Sequence, residues 1–294
     1  MDTRERFLVT TGWLADHLAE PSLRVLDCTV YLRPRADGGP GYSVTPGRED
    51  WEASHIPGSG FADLANDLSD RSNPLRFMMP PAEQFAEAMG RYGVGDDSQV
   101  VLYDRAGNMW AARIWWMLRA FGFDNARILD GGWTKWTAEG LATSQEAPQV
   151  TAAKFSVSPR PELIATKDDV LAAIESGQTC IVNALNGAQH RGEVAPYGRA
   201  GHITGSVNVP AVGAAGVVDP ETQLYHPIDE IRRRFEAAGA RPDQRLITYC
   251  GGGIAASSAA FAATMAGYTN IALYDASLSE WAADPSLPME TAQR

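Results

Sequence analysis

The chain repeats itself once, and that register limits what it can fold into more than any other feature. His55-Ile56-Pro57-Gly58-Ser59 in the first half returns as His202-Ile203-Thr204-Gly205-Ser206 in the second. His55 stands 49 positions before Asp104, which closes the apolar run QVVLYD. His202 stands 48 positions before Cys250, which closes RLITYC. Each interval holds one amphipathic helical pattern, PPAEQFAEAMGRYG or PIDEIRRRFEAAGA. Each run is followed by a loop and a second helical stretch, WAARIWWMLRAFG or AASSAAFAATMAG. Both halves close on an aspartate and, six residues on, a tryptophan: Asp130 with Trp136, and Asp275 with Trp281. A periodicity this long means two copies of one structural unit.

The copies span about residues 5–142 and 160–290, with a linker over 143–159 that is rich in Pro, Ser and Thr. Two domains suit 294 residues at roughly 100–200 residues each. Short apolar runs (SLRVLDC, QVVLYD, ARILD) alternate with helical patterns. This predicts an α/β fold in which each copy is a mostly parallel sheet flanked by helices, with right-handed crossovers. Trp110, Trp115 and Trp116 are expected to pack the first copy's helix onto its sheet.

Composition removes several classes of function. The formal net charge of −11 offers no basic field for nucleic acid. Arg232-Arg233-Arg234 belongs to a helix whose apolar side carries Ile228, Ile231 and Phe235, so it reads as a solvated face. No run of 18 apolar residues is present, which argues against a membrane span. The first residues, MDTRERFLVTTGWLADHL, lack the apolar core of a signal peptide, so the expected compartment is the cytoplasm. The three cysteines, Cys28, Cys180 and Cys250, are too scattered for a disulfide framework or a paired-cysteine metal site. No metal and no organic cofactor is expected.

The copies differ most where strand gives way to helix. Asp104-Arg105-Ala106-Gly107-Asn108-Met109-Trp110 stands in the first and Cys250-Gly251-Gly252-Gly253-Ile254-Ala255-Ala256 in the second. Ligands of open parallel sheets bind beyond the carboxyl ends of strands, and Cys250 is at such an end. Glycines at 251, 252 and 253 let the backbone turn its N–H groups inward as an anion nest, and the following helix adds the positive end of its dipole. That setting favours a thiolate nucleophile and would equally cradle a persulfide or an oxyanion. Cys28 and Cys180, in or beside strand-like runs, read as core.

With this loop, HIPGS at 55–59, GHITGS at 201–206 and LDGGW at 129–133, the chain resembles the rhodanese family over nearly its whole length. It is most similar to the tandem-domain sulfurtransferases that use thiosulfate or 3-mercaptopyruvate. The resemblance implies two tandem rhodanese-like domains, the first inactive because Asp104 replaces the cysteine. It implies that Cys250 takes a sulfane sulfur from a small anionic donor, becomes a persulfide, and passes the sulfur to cyanide or a thiol. The uncharged loop from Gly251 to Ala256 looks more like the Cys-Gly-Ser-Gly-Val-Thr loop of mercaptopyruvate enzymes, yet Gly252 replaces its Ser and Ala255 its Thr. Where the family carries Asp-Ala-Arg or Asp-Ser-Arg to hold the donor, this chain has Asn183-Ala184-Leu185. Arg191 and Arg199 are the nearest replacements by sequence, and a guanidinium fork suits a carboxylate or sulfonate. The same resemblance places His55 near the substrate, although His55 and His202 each also read as the histidine that fixes a tight turn.

Other chemistries fit less well. A cysteine phosphatase needs an arginine six residues past the cysteine; position 256 is Ala, and no arginine follows before Arg294. Gly251 to Ala256 satisfies G-x-G-x-x-A, with Asp275 beyond it, but only 19 residues follow Asp275, too few to complete a dinucleotide-binding fold. The remaining alternative is a non-catalytic binding scaffold built on the same fold. Its discriminating feature is whether Cys250 has kept a task.

Overall fold

A computed structural model describes residues 3–36 and 42–291; Arg294 lies outside them. Its residues group into two compact units. The first takes the chain up to Tyr31, Val44–Arg160 and Glu221–Leu224; the second takes Leu32–Ser43, Pro161–Pro220 and Tyr225 onward.

In the first unit β1 (Leu8–Val9), β2 (Leu23–Asp27), β5 (Gly60–Phe61), β6 (Gln99–Tyr103) and β7 (Ala126–Leu129) form one sheet in the order β1-β7-β6-β2-β5. Every pairing in it is parallel. Between β2 and β5 come β3 (Val30–Pro34) and β4 (Tyr42–Pro46), a separate two-stranded sheet. The second unit builds its sheet from β8 (Ile164–Ala165), β9 (Cys180–Asn183), β11 (Val207–Asn208), β12 (Leu246–Tyr249) and β13 (Ile271–Tyr274), in the order β11-β9-β12-β13-β8, again all parallel. Read from the opposite edge, the first order matches the second strand for strand. Parallel strands buried on both faces read as continuous apolar runs, as VVLY and LITY do. The second unit adds an antiparallel pair, β10 (His202–Ile203) with β14 (Met289–Glu290).

Helices cover both sheets. In the first unit these are α1 (Thr11–His17), α2 (Arg48–Ala53), α3 (Ala82–Arg91), α4 (Met109–Ala120) and α5 (Gly132–Ala138). In the second they are α6 (Lys167–Ser176), α7 (Gly187–Arg191), α8 (Ile228–Ala237), α9 (Ile254–Met265) and α10 (Ser277–Trp281). Helix α8 buries Ile231 and Phe235, one turn apart, and turns Arg233 to solvent. Helix α9 carries no charged residue and is buried on nearly every side, its three hydroxyls hydrogen-bonded; its alanines let it lie close on β12 and β13. Trp110 and Trp116 of α4 are buried, and Trp115 donates from Nε1 to the carbonyl of Ala126 at 3.0 Å. Residues 143–159 run along the first unit: Ser144 exchanges backbone bonds with His55, and Ala153 N–H bonds the Gly90 carbonyl.

The repeated HIxGS sequence has one structural task in both units. In the second, the Tyr249 hydroxyl accepts from Ile203 N–H at 3.0 Å and pairs with Ser206 Oγ at 2.8 Å. In the first, the Tyr103 hydroxyl meets Ile56 N–H at 3.4 Å and Ser59 Oγ at 3.0 Å. Each tyrosine is the last residue of the central strand and immediately precedes Asp104 or Cys250. The glycine of each motif, Gly58 or Gly205, takes the positive φ that closes the turn. The 48- and 49-residue spacings are thus the chain length from a clamp to the strand end it grips. Burial pushes both phenols up, so both hydroxyls stay protonated.

Removing either hydroxyl strands a serine and a buried amide. Tyr249→Phe and Tyr103→Phe are each expected to lower unfolding free energy by about 1–3 kcal/mol, and the double variant by the sum, read from urea denaturation. A loss well under that range at both sites would show that the clamp does not carry stability.

Candidate functional site

Strand β12 delivers Cys250 to its carboxyl end, where the residue is 2% exposed. Its N–H donates to Ser277 Oγ at 3.0 Å, and its carbonyl accepts from Leu278 N–H at 3.1 Å. Gly251 is pinned from the same side, its carbonyl accepting from Ser279 N–H at 2.9 Å and Ser279 Oγ at 2.6 Å. Gly253 then takes φ 81° and caps α9. From Gly252 to Ala256 the backbone N–H groups have no protein acceptor among the described residues, as the first turn of a helix requires.

The first unit shows what such a loop does with an anion. Asp104 turns its carboxylate back into the loop. Oδ1 accepts from Ala106 N–H at 2.8 Å and Asn108 N–H at 2.9 Å; Oδ2 accepts from Trp110 N–H and Ala111 N–H, both at 2.9 Å. Four amides at the mouth of α4 therefore hold one internal carboxylate, 2% exposed. The two loops differ by one residue. Helix α4 begins five positions after Asp104 and α9 four positions after Cys250, so Asn108 (φ 62°) and Gly253 are the matching caps. Residue-for-residue alignment from Asp104 and Cys250 thus slips by one at the helix start. By cap position, the amides that match Asn108, Trp110 and Ala111 are those of Gly253, Ala255 and Ala256.

Ser277 is a site residue that sequence reasoning passed over. It has φ 51°, rare for a residue with a side chain. Its counterpart is Gly132, with φ 52°, where an added β-carbon would come within 2.5 Å of the Asp104 carbonyl. Ser277 donates from Oγ to the Tyr274 carbonyl at 2.8 Å and accepts from Cys250 N–H. The readable signal was LYDAS aligned on ILDGG, a side chain in one copy opposite glycine in the other. Tyr197 was also missed: its phenol lies directly against Gly251.

The other expected residues are placed as follows. Leu185 is buried, and its N–H donates to Asn183 Oδ1 at 2.9 Å. Thr29 bonds Asp27 in the same way, so Asn183-Ala184-Leu185 is the structural counterpart of Asp27-Cys28-Thr29. Arg191 is 51% exposed and donates from Nε to Glu193 Oε1 at 2.7 Å. Arg199 donates to the carbonyls of Asp284 (2.8 Å) and Leu287 (3.1 Å), tying its segment to the one after α10. His55, in the first unit, is fully buried and stacked on Trp51, with Nδ1 2.6 Å from the Trp51 carbonyl and Nε2 3.1 Å from that of Glu146. His202 makes the corresponding bond from Nδ1 to the His190 carbonyl at 2.7 Å. Cys28, just past the end of β2, and Cys180, at the start of β9, are both buried; burial pushes the Cys28 thiol well up and the Cys180 thiol to about 11. Among the described residues no group of three His, Cys, Asp or Glu is arranged to hold a metal ion, and no helix is long and apolar enough to cross a membrane.

Comparison with known proteins agrees on one family. The rhodanese-like domain matches twice, over residues 10–139 and 166–284. Human 3-mercaptopyruvate sulfurtransferase is 34% identical over 285 residues, which cover 94% of this chain and 92% of that protein. Rat thiosulfate sulfurtransferase is 32% identical over 286 residues, covering 94% and 92%. Among solved structures, SseA from Escherichia coli, described with the rhodanese fold of 3-mercaptopyruvate sulfotransferases, matches with a TM-score of 0.81 at 31% identity. That match covers 92% of this chain and 98% of SseA.

Two outcomes follow from the geometry. Asp104→Ala leaves four inward amides without an acceptor and should destabilise the chain by about 2–5 kcal/mol in urea unfolding. His190, stacked on His202 at 3.8 Å, accepts from Asn183 Nδ2 at 3.2 Å, a bond that imidazole makes at Nδ1 only when that nitrogen is unprotonated. Burial first, then His202, lowers its pKa from the ordinary 6.5 to about 4. Between those values the unfolded chain holds a proton that the folded one lacks. Stability should therefore fall as pH drops from about 6.5 toward 4, and His190→Gln should flatten that slope.

Proposed function

The chain belongs to the rhodanese family and is a sulfurtransferase; from that premise we propose that Cys250 is the residue that carries the sulfur. The observation that carries this reading is the contrast between the two loops. The first copy fills its ring of amides with the Asp104 carboxylate. The second presents amides without protein partners beside a cysteine.

The chemistry takes two displacements. With thiosulfate, the Cys250 thiolate attacks the outer sulfur, the S–S bond of the donor breaks, and sulfite leaves with the electron pair. The persulfide anion then rests against the N–H groups of Gly253, Ile254, Ala255 and Ala256, with Gly251 and Gly252 giving the turn its freedom. Cyanide or a thiolate attacks the outer sulfur of the persulfide and restores the Cys250 thiolate, a ping-pong cycle with one covalent intermediate. Ser277 steadies the cycle by holding the Cys250 amide, so the backbone need not move as the sulfur changes charge.

The donor is 3-mercaptopyruvate or thiosulfate, both small anions. With Leu185 unable to bind an anion, Arg191 is the better placed of the two arginines to meet a donor. Its exposed pair with Glu193 is easily exchanged, whereas Arg199 is tied to two carbonyls. His55, with both ring nitrogens facing carbonyls of its own unit, serves by setting its turn. Three free buried thiols suit a reducing compartment, and we assign the protein to the cytoplasm.

The test is thiocyanate formation from cyanide with each donor, with Cys250→Ser in parallel. Wild type should turn over at least one donor and gain the mass of one sulfur on Cys250; the serine variant should do neither. A folded wild type that transfers no sulfur and gains no mass would favour a scaffold that has kept its cysteine without the reaction.

A further inference from the structure

We propose that the Tyr197 hydroxyl is the proton donor to the leaving group when Cys250 takes sulfur from carbon, as it must with 3-mercaptopyruvate. The assignment rests on sulfur transfer through Cys250 and adds a second reacting group to it.

Tyr197 lies in the irregular segment between α7 and β10, and its ring reaches the Cys250 loop. An ideal β-carbon on Gly251 would collide with the Tyr197 hydroxyl and with the ring carbon that bears it. Only glycine at 251 leaves room for the phenol, so this tip sits against the α-carbon next to the reactive cysteine. The hydroxyl has no hydrogen-bond partner among the described residues. Six other tyrosines do bond theirs: Tyr92 to Asp67, Tyr103 to Ser59, Tyr225 to Ser258, Tyr249 to Ser206, Tyr268 to the Ala240 carbonyl and Tyr274 to Glu280. Tyr197 is half-buried, so its hydroxyl, without a protein partner and set against the Cys250 loop, is open to a ligand.

The proton inventory says when it is needed. The Cys250 thiolate attacks the sulfur of 3-mercaptopyruvate, a new S–S bond forms and the C–S bond breaks. The departing electron pair makes the enolate of pyruvate, a strong base. A proton from Tyr197 turns that enolate into pyruvate, leaving a phenolate that water reprotonates. Thiosulfate needs no such help, because sulfite departs as a stable dianion. Burial, reinforced by the charge of Cys250 and of Tyr42, pushes the Tyr197 phenol well up. The proton is therefore in place at neutral pH and is given up only to a base as strong as an enolate.

The experiment compares wild type with Tyr197→Phe on both donors, cyanide being the acceptor and thiocyanate and pyruvate the readouts. With 3-mercaptopyruvate the variant should lose about a hundredfold or more in kcat with a much smaller change in KM. With thiosulfate its loss should be under about tenfold, the cost of a lost contact rather than a lost proton. Equal losses on both donors would mean that the ring only shapes the loop, and no loss on either would remove the hydroxyl from the reaction. A wild type that uses thiosulfate but not 3-mercaptopyruvate would also overturn the proposal. A wild type that uses neither donor and forms no persulfide refutes sulfur transfer itself, which is a different failure. If the phenylalanine chain does not fold, 3-fluorotyrosine at 197 keeps ring and hydroxyl while making the phenol more acidic. A 3-mercaptopyruvate rate that does not respond to that change overturns the assignment.

Discussion

Each half of the molecule depends on a tyrosine hydroxyl buried at the end of its central strand. Tyr103 and Tyr249 are the last residues before the loops that matter, and each is gripped by the amide and serine of an HIxGS turn. A strand end carrying a tight loop is where fraying would be most damaging. The clamp prevents it by giving the final side chain of the strand partners that lie more than forty residues earlier. Because those bonds are shielded from water, they define a position rather than merely favour one. The neighbouring strand is joined at the same level: Cys28 and Ala184 donate to the tyrosine carbonyls, so backbone and side chain are fixed together.

On this common base the two copies answer one electrostatic problem in opposite ways. Amides converging at a helix start leave a concentration of positive partial charge. The first copy neutralises it permanently with Asp104. The second leaves those amides without a protein acceptor beside Cys250 and places glycine where a phenol comes close. Ser277 shows how far the second copy has moved in the service of that loop. It holds a backbone conformation natural to glycine, so that its side chain can anchor the cysteine amide.

Much of this is legible in the sequence, for definite reasons. A period of two or of 3.6 in apolar residues reports sheets and helices directly, and a duplicated register reports itself. The Cys250 loop is readable because three glycines at a strand end have few other uses. The rest depends on contacts between distant segments. Arg199 looks like an anion receptor until the carbonyls 85 and 88 residues away take its donors. Tyr197 is one tyrosine among nine until the path of the chain brings it over Gly251. The single-residue difference between the loops is invisible because both sequences keep a small, polar or flexible residue at each candidate cap.

The filled loop of the first copy also limits how far the two halves are interchangeable. A cysteine at 104 would not by itself make the first loop a copy of the second, since that loop is a residue longer and is organised around the carboxylate. Arg105 is stacked 4.2 Å over Trp133, and its Nε lies 3.5 Å from Asp27, a carboxylate with no exposed surface. Without Asp104, four inward amides lose their acceptor beside this buried cluster of charges. The asymmetry between the halves is therefore locked in by packing: the first copy cannot give up Asp104 without unsettling the residues built around it.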